Sequence, residues 1–140
     1  MYKRQEYIIS DLMHIIFHWF HDYAFSKHGS RYQPLLEKLR GDIYAHPEYD
    51  WTLEMMAERV NLSPRSLQKM YKNFANISCI SEVIESRMVR AKMLLVRSDF
   101  DVGEISMQCG YRNVEHFCRQ FKKHEGCSPS HYRKEHLVRP

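Results

Sequence analysis

Apolar positions recur at steps of three and four along almost the whole chain, the spacing that collects them on one face of a helix. Over residues 5–25, Ile8, Ile9, Leu12, Ile15, Ile16, Trp19, Phe20 and Tyr23 form a wide stripe. Lys27-His28-Gly29-Ser30 ends it, with Gly29 suited to a left-handed C-cap. A second helix is expected from Pro34, a residue accepted at a first helical position. It runs through Leu35, Leu36, Leu39, Ile43 and Tyr44 and stops before His46-Pro47. No stretch keeps the alternation of a strand, and no Asn-Gly or Asp-Gly hairpin turn occurs. The expected fold class is therefore all-α. The stripe over 5–25 needs something to cover it: the rest of the chain, a second copy, or a further domain.

From Thr52 the pattern repeats. Leu53, Met56, Ala57, Val60, Asn61 and Leu62 return 49 residues later as Val102, Ile105, Ser106, Cys109, Gly110 and Tyr111. Leu67, Tyr71, Lys72, Asn76 and Ser78 return 50 residues later as Phe117, Phe121, Lys122, Gly126 and Ser128, so the second copy carries one extra residue in its turn. Each copy reads as helix, turn of three or four residues, helix. Thr52 caps the first helix of the first copy. Asn61 suits a left-handed turn position, and Ser63-Pro64 opens the next helix. In the second copy Asp101 and Glu104 have capping-box spacing, Gly110 makes the turn, and Asn113 caps the following helix. Small residues at Ala57 and Ser106 let the paired helices approach closely, which is the helix-turn-helix arrangement.

The outward faces of the second helices carry the candidate chemistry. Around inward Leu67 and Tyr71 lie Arg65, Ser66, Gln68, Lys69 and Lys72. Around inward Phe117 and Phe121 lie Asn113, Glu115, His116, Arg119, Gln120, Lys122 and Lys123. Most of these residue types hydrogen-bond base edges or phosphates. An ordinary solvated helix also shows Lys, Arg and Gln; it is the recurrence of such a face at equivalent positions of a repeat that favours duplex DNA. A connecting helix from about 79 to 97 turns Val83, Ile84, Met88, Ala91, Leu94 and Leu95 inward and spans roughly 25–30 Å. Successive major grooves on one face of a duplex are about 34 Å apart.

Charge supports this reading weakly. The chain has 140 residues and a formal net charge of +4. Residues 1–50 are nearly balanced, and the basic excess falls in residues 51–140, as expected if that part meets a polyanion. The four cysteines (Cys79, Cys109, Cys118, Cys127) show no CxxC spacing, and free thiols in a reducing cytosol are expected. No apolar run approaches the ~18–20 residues of a membrane helix. An enzyme is the first rival. His14, His18 and His21 share one helical face, but no carboxylate pair or Gly-rich loop accompanies them. His116 and Cys118 diverge on a helix. No cofactor and no metal are expected. A helical protein-interaction module using the stripe over 5–25 is the second rival.

The stretch Ile105-Ser106-Met107-Gln108-Cys109-Gly110-Tyr111, then His116 to Lys123, Gly126-Cys127-Ser128-Pro129 and Tyr132-Arg133, resembles the signature of AraC/XylS-type transcriptional regulators. Ala57 to Phe74, with Leu62-Ser63-Pro64 and Leu67 to Lys72, is similar to that family's first helix-turn-helix. The resemblance covers about residues 34–136. It implies a seven-helix DNA-binding domain with helix-turn-helix units at about 52–74 and 101–124 joined by the helix at 79–97. It also implies a bacterial cytoplasmic regulator of promoter DNA, most often an activator working with RNA polymerase. By motif position, base contacts fall on Arg65, Gln68 and Lys69, and on Val114, Glu115, His116 and Arg119. Val114 and Glu115 depart from the polar, uncharged residues frequent there, and Asn61 replaces the more usual turn Gly. Residues 1–30 look like the linker helix that contributes to dimerisation in longer members.

Overall fold

A computed structural model of the chain describes residues 31–137 and, before them, Ile16 alone. Among the described residues every regular element is helical. The order is α1 (31–45), α2 (Leu53–Arg59), α3 (Pro64–Ala75), α4 (Cys79–Arg97), α5 (Val102–Gln108), α6 (Val114–Glu125) and α7 (Pro129–His136). The helix expected over 5–25 lies outside the described residues, except for Ile16, which is helical and exposed. The expected opening of the second helix at Pro34 is corrected, because Arg31, Tyr32 and Gln33 are already helical. Proline's fixed φ is itself helical, so its ring does not mark a start; it removes one N–H donor.

Local chemistry sets the boundaries. Thr52, Ser63, Ser78, Asp101, Asn113 and Ser128 each accept, through a side-chain oxygen, the N–H of the residue three positions on. Each thereby satisfies one of the donors that a helix start leaves without a partner. Asp101 and Glu104 complete a reciprocal capping box. The two turns close alike. The N–H of Leu62 donates to Ala57 O at 3.0 Å and that of Asn61 to Glu58 O. Tyr111 donates to Ser106 O at 3.0 Å and Gly110 to Met107 O. This is the Schellman pattern, and it needs a left-handed residue, supplied by Asn61 (φ 54°) and Gly110 (φ 86°). Four non-helical residues (60–63) separate α2 from α3 and five (109–113) separate α5 from α6. Each turn is thus one residue longer than expected, and the second copy keeps its extra residue.

Two apolar cores result. Leu36, Leu39, Ile43, Trp51, Met56, Ala57, Val60, Leu67, Tyr71, Cys79 and Val83 form the first. Met88, Ala91, Leu95, Ile105, Cys109, Tyr111, Phe117 and Phe121 form the second. α4 contributes to both, with its first turns in one core and its last turns in the other. Its 19 residues make a rod about 28 Å long.

Candidate nucleic-acid interface

α3 and α6 are twelve residues each and are built alike. Each buries an aromatic-bearing edge completely, Leu67 and Tyr71 in one and Phe117 and Phe121 in the other. Phe117 and Phe121 pack at 5.8 Å between ring centroids, and Tyr111 closes on Phe117 at 5.2 Å. With one side fixed in its core, each helix turns the other outward. Arg65, Ser66, Gln68, Lys69 and Lys72 are all exposed on α3. Asn113, Val114, Glu115, His116, Arg119 and Lys123 are exposed at the start and along α6.

These side chains are not equally available. Ser66 accepts a hydrogen bond from the Ser63 hydroxyl, and Lys72 Nζ donates to the Asn76 carbonyl at 2.7 Å, closing the end of α3. Asn113 Oδ1 is occupied by the His116 N–H at 2.9 Å. The His116 ring stands edge-on to Tyr111 at 5.6 Å. Among the described residues the side chains of Arg65, Gln68 and Arg119 hold no intramolecular hydrogen bond or ion pair. Gln120 is a correction to the expected outward face. It is half-buried, and its Oε1 accepts from the Tyr111 hydroxyl. A phenol at the edge of a core requires such a partner, and Gln120 supplies it.

The support beneath each helix differs. Under α3, Glu82 of α4 is fully buried. It accepts from the Tyr71 hydroxyl and from Arg40 Nε of α1, each at 3.2 Å. Burial, reinforced by the Glu82 charge, holds the Tyr71 phenol far above its ordinary range. Tyr71 therefore stays a protonated donor. Under α6, His124 reaches Glu85 of α4 at 2.7 Å and its neighbour Glu125 at 2.9 Å, and Lys92 of α4 pairs with Glu125 at 3.0 Å. Burial pulls the His124 imidazole down, but the two carboxylates outweigh it and its pKa is net raised.

Sequence reasoning missed Glu82, Arg87 and Arg90, because acidic and basic residues on a helix read as surface. Arg87 Nε and Nη2 donate to the carbonyls of Pro47 and Tyr49 at 3.0 and 2.9 Å, and Arg90 pairs with Glu48 at 3.1 Å. Three of the four thiols are poor nucleophiles. Burial pushes Cys109 up to about 11 and raises Cys79 and Cys118 as well. Low-pKa thiolates, the reactive form, are therefore absent at these three positions. No cluster of three metal-ligating side chains occurs among the described residues, outside which His14, His18 and His21 lie.

A family model described as a helix-turn-helix domain matches residues 56–135. An uncharacterized HTH-type transcriptional regulator of Escherichia coli K12, YdiP, is 38% identical over 84 residues, covering 60% of this chain and 28% of its own. The chain spans about a third of the length of such curated relatives (28%, 36% and 31% for three of them). Among solved structures, the C-terminal domain of AraT, a response regulator from Geobacillus stearothermophilus, superposes with a TM-score of 0.73 at 34% identity. It covers 78% of this chain and 91% of its own. The DNA-binding domain of AdpA, a global transcriptional factor solved in complex with a target DNA, gives 0.70 at 25% identity, covering 72% and 91%.

Proposed function

The chain belongs to the AraC/XylS-type helix-turn-helix family of DNA-binding domains, and from that premise we propose that it regulates transcription by setting α3 and α6 into adjacent major grooves of promoter DNA. The observation that carries this reading is the pair of equal, N-capped helices whose inner edges are locked in two cores while polar rows face outward. The AdpA domain, solved on its target DNA, has the same architecture. α4, about 28 Å long, is close to the ~34 Å groove repeat, and modest bending of the duplex takes up the remainder.

In this reading Arg65, Gln68 and Lys69 of α3, and Glu115, His116 and Arg119 of α6, face base edges. Arg selects guanine, Gln adenine and Glu cytosine, while Val114 packs against a thymine methyl. Ser66, Lys72, Asn113 and Lys123 hold the phosphates on either side. The protein works in the bacterial cytoplasm, at the nucleoid when bound, as an activator that contacts RNA polymerase. It pairs with a second copy through residues 5–25. Light scattering on the purified chain checks the pairing, and a monomer at high concentration counts against it.

Selection of bound duplexes from a random pool tests the central claim. Two short enriched motifs about one helical turn apart, 10–10.5 bp, are expected; one motif alone, or none, overturns two-groove binding. Affinity should fall steeply with salt, log K against log[salt] having a slope of about −0.9 per phosphate neutralised. A slope near zero would favour the protein-interaction module instead.

A further inference from the structure

The rod α4 is not alone in joining the two halves. The loop of residues 46–51, between α1 and α2, crosses to the turn of the second helix-turn-helix. Its path is stiff. Pro47 is buried, the Trp51 indole N–H donates to the His46 carbonyl at 2.8 Å, and the rings of His46 and Tyr49 stack at 4.6 Å. From α4, the planar fork of Arg87 grips two carbonyls of this loop, those of Pro47 and Tyr49, and the same guanidinium lies 5.2 Å over the Tyr111 ring. Two such bonds from one rigid group fix an orientation that a lysine would not. Arg90 holds Glu48 at 3.1 Å. Its own Nε is buried without a hydrogen bond among the described residues, so it depends on that carboxylate. At the far side Arg112 reaches Asp50 at 3.1 Å on the open surface.

The closest approach is backbone on backbone. A Cβ on Gly110 would lie 2.9 Å from Pro47 O and 3.0 Å from Glu48 O. Gly110 is the turn residue of the second reader, and the loop leads directly into Thr52, the cap of α2 in the first. The two readers are therefore keyed together at this point, in addition to sharing α4.

We propose that the loop of residues 46–51, gripped by Arg87 and seated on Gly110, fixes the separation and angle of α3 and α6, so that the protein accepts one spacing between its two half-sites. This rests on the two-groove reading above. Arg87 and Gly110 are positioning residues in it and need touch no DNA. Two readers held rigidly act as one ligand for DNA of the matching spacing. Two readers joined loosely keep their separate affinities and lose the geometric penalty for a mismatched spacing.

The experiment uses the full chain and its Arg87→Ala variant. Residual dipolar couplings report orientation without DNA. In the parent, the amides of α2–α3 and of α5–α6 should fit one alignment tensor; in Arg87→Ala they should need two. Binding is then measured on duplexes whose two selected motifs are moved apart or together by one or two base pairs, and on a duplex with one motif. The parent should lose roughly tenfold or more per base pair. Arg87→Ala should bind the single-motif duplex within about twofold of the parent while its spacing dependence flattens. Should Arg87→Ala lose its fold, Arg87→Lys, which keeps the charge and the stem but loses the planar fork that holds the two carbonyls, takes its place. A folded variant with one tensor and the parent's spacing profile overturns the proposal, as does a parent indifferent to spacing. A parent that binds no duplex overturns the two-groove reading itself, and the role given to the loop with it.

Discussion

Glu82 is a carboxylate with no access to water, held by Tyr71 and Arg40 from two other helices. Replacing it with leucine leaves the Tyr71 hydroxyl, itself fully buried, without an acceptor, at a cost of about 1–3 kcal/mol. Arg40 adds little to that loss, because its side chain is 48% exposed and can turn to water. Tyr71→Phe is the converse: Glu82 keeps Arg40 but loses one hydrogen bond to a charged acceptor, about 1.5–3 kcal/mol. Removing both polar partners together leaves an apolar contact of similar shape, so Tyr71→Phe/Glu82→Leu should cost under about 1 kcal/mol. The repeat contains a precedent. Fifty residues on, the same two positions are Phe121 and Tyr132, which meet edge to face at 5.6 Å with no carboxylate involved. Urea unfolding of the parent, both single variants and the double variant closes the cycle, with Trp51 fluorescence reporting on the core that contains Tyr71. A coupling of about 3 kcal/mol is expected. Single losses below about 0.5 kcal/mol, or a double loss equal to the two added, would refute the assignment of Glu82 as the anchor of α3.

Arg119→Ala should weaken binding to the selected sequence by ~1–3 kcal/mol and relax preference at one base pair, whereas Lys69→Ala should weaken it as well; competition assays with single-base variants check both, and parent-like binding by both variants rules out the reader assignment. Gly110→Ala and Gly126→Ala both place a side chain at positive φ, 86° and 83°. Only Gly110 has backbone oxygens in the way, so thermal melts should show a loss of about 1–2 kcal/mol at Gly126 and clearly more at Gly110; equal losses contradict the close contact with Pro47. Because Glu85 and Glu125 together raise the His124 pKa while His124 and Lys92 lower that of Glu125 against its burial, the cluster's stabilisation is complete below the unfolded histidine value of about 6.5 and above the unfolded glutamate value of about 4.3. It fades as pH rises through the folded His124 value, or falls through the folded Glu125 value. The stability difference between parent and His124→Gln, followed by chemical denaturation from pH 4 to 8, should therefore peak between these limits; a difference constant up to pH 8 contradicts it.

What could be read from the sequence was local. The caps Thr52, Ser63, Asp101 and Asn113 act on a donor three residues away, and the left-handed turns at Asn61 and Gly110 follow from single residues. The inward positions of α3 and α6 came from periodicity in the same way. Interactions across the fold were not legible. Glu82 finds Tyr71 eleven positions away and Arg40 forty-two away; its spacing of three from Cys79 puts it on the buried edge of α4, but nothing local in the sequence supplies the partners a carboxylate needs there. The grip of Arg87 on Pro47 spans forty residues, and its partners are backbone carbonyls, which every residue has. Gln120 reads as outward in the sequence because the phenol it serves stands nine residues before it, across a turn whose angle the sequence does not state.

The rod α4 places Cys79 and Val83 in one core and Met88, Ala91 and Leu95 in the other. Each half of the repeat thus borrows a wall from the same helix. Neither half is a self-sufficient folding unit, and a cut between Val83 and Met88 would yield two incomplete hydrophobic interiors instead of two separable modules. Denaturation should accordingly proceed in one step, the pair rising and falling as a single thermodynamic body.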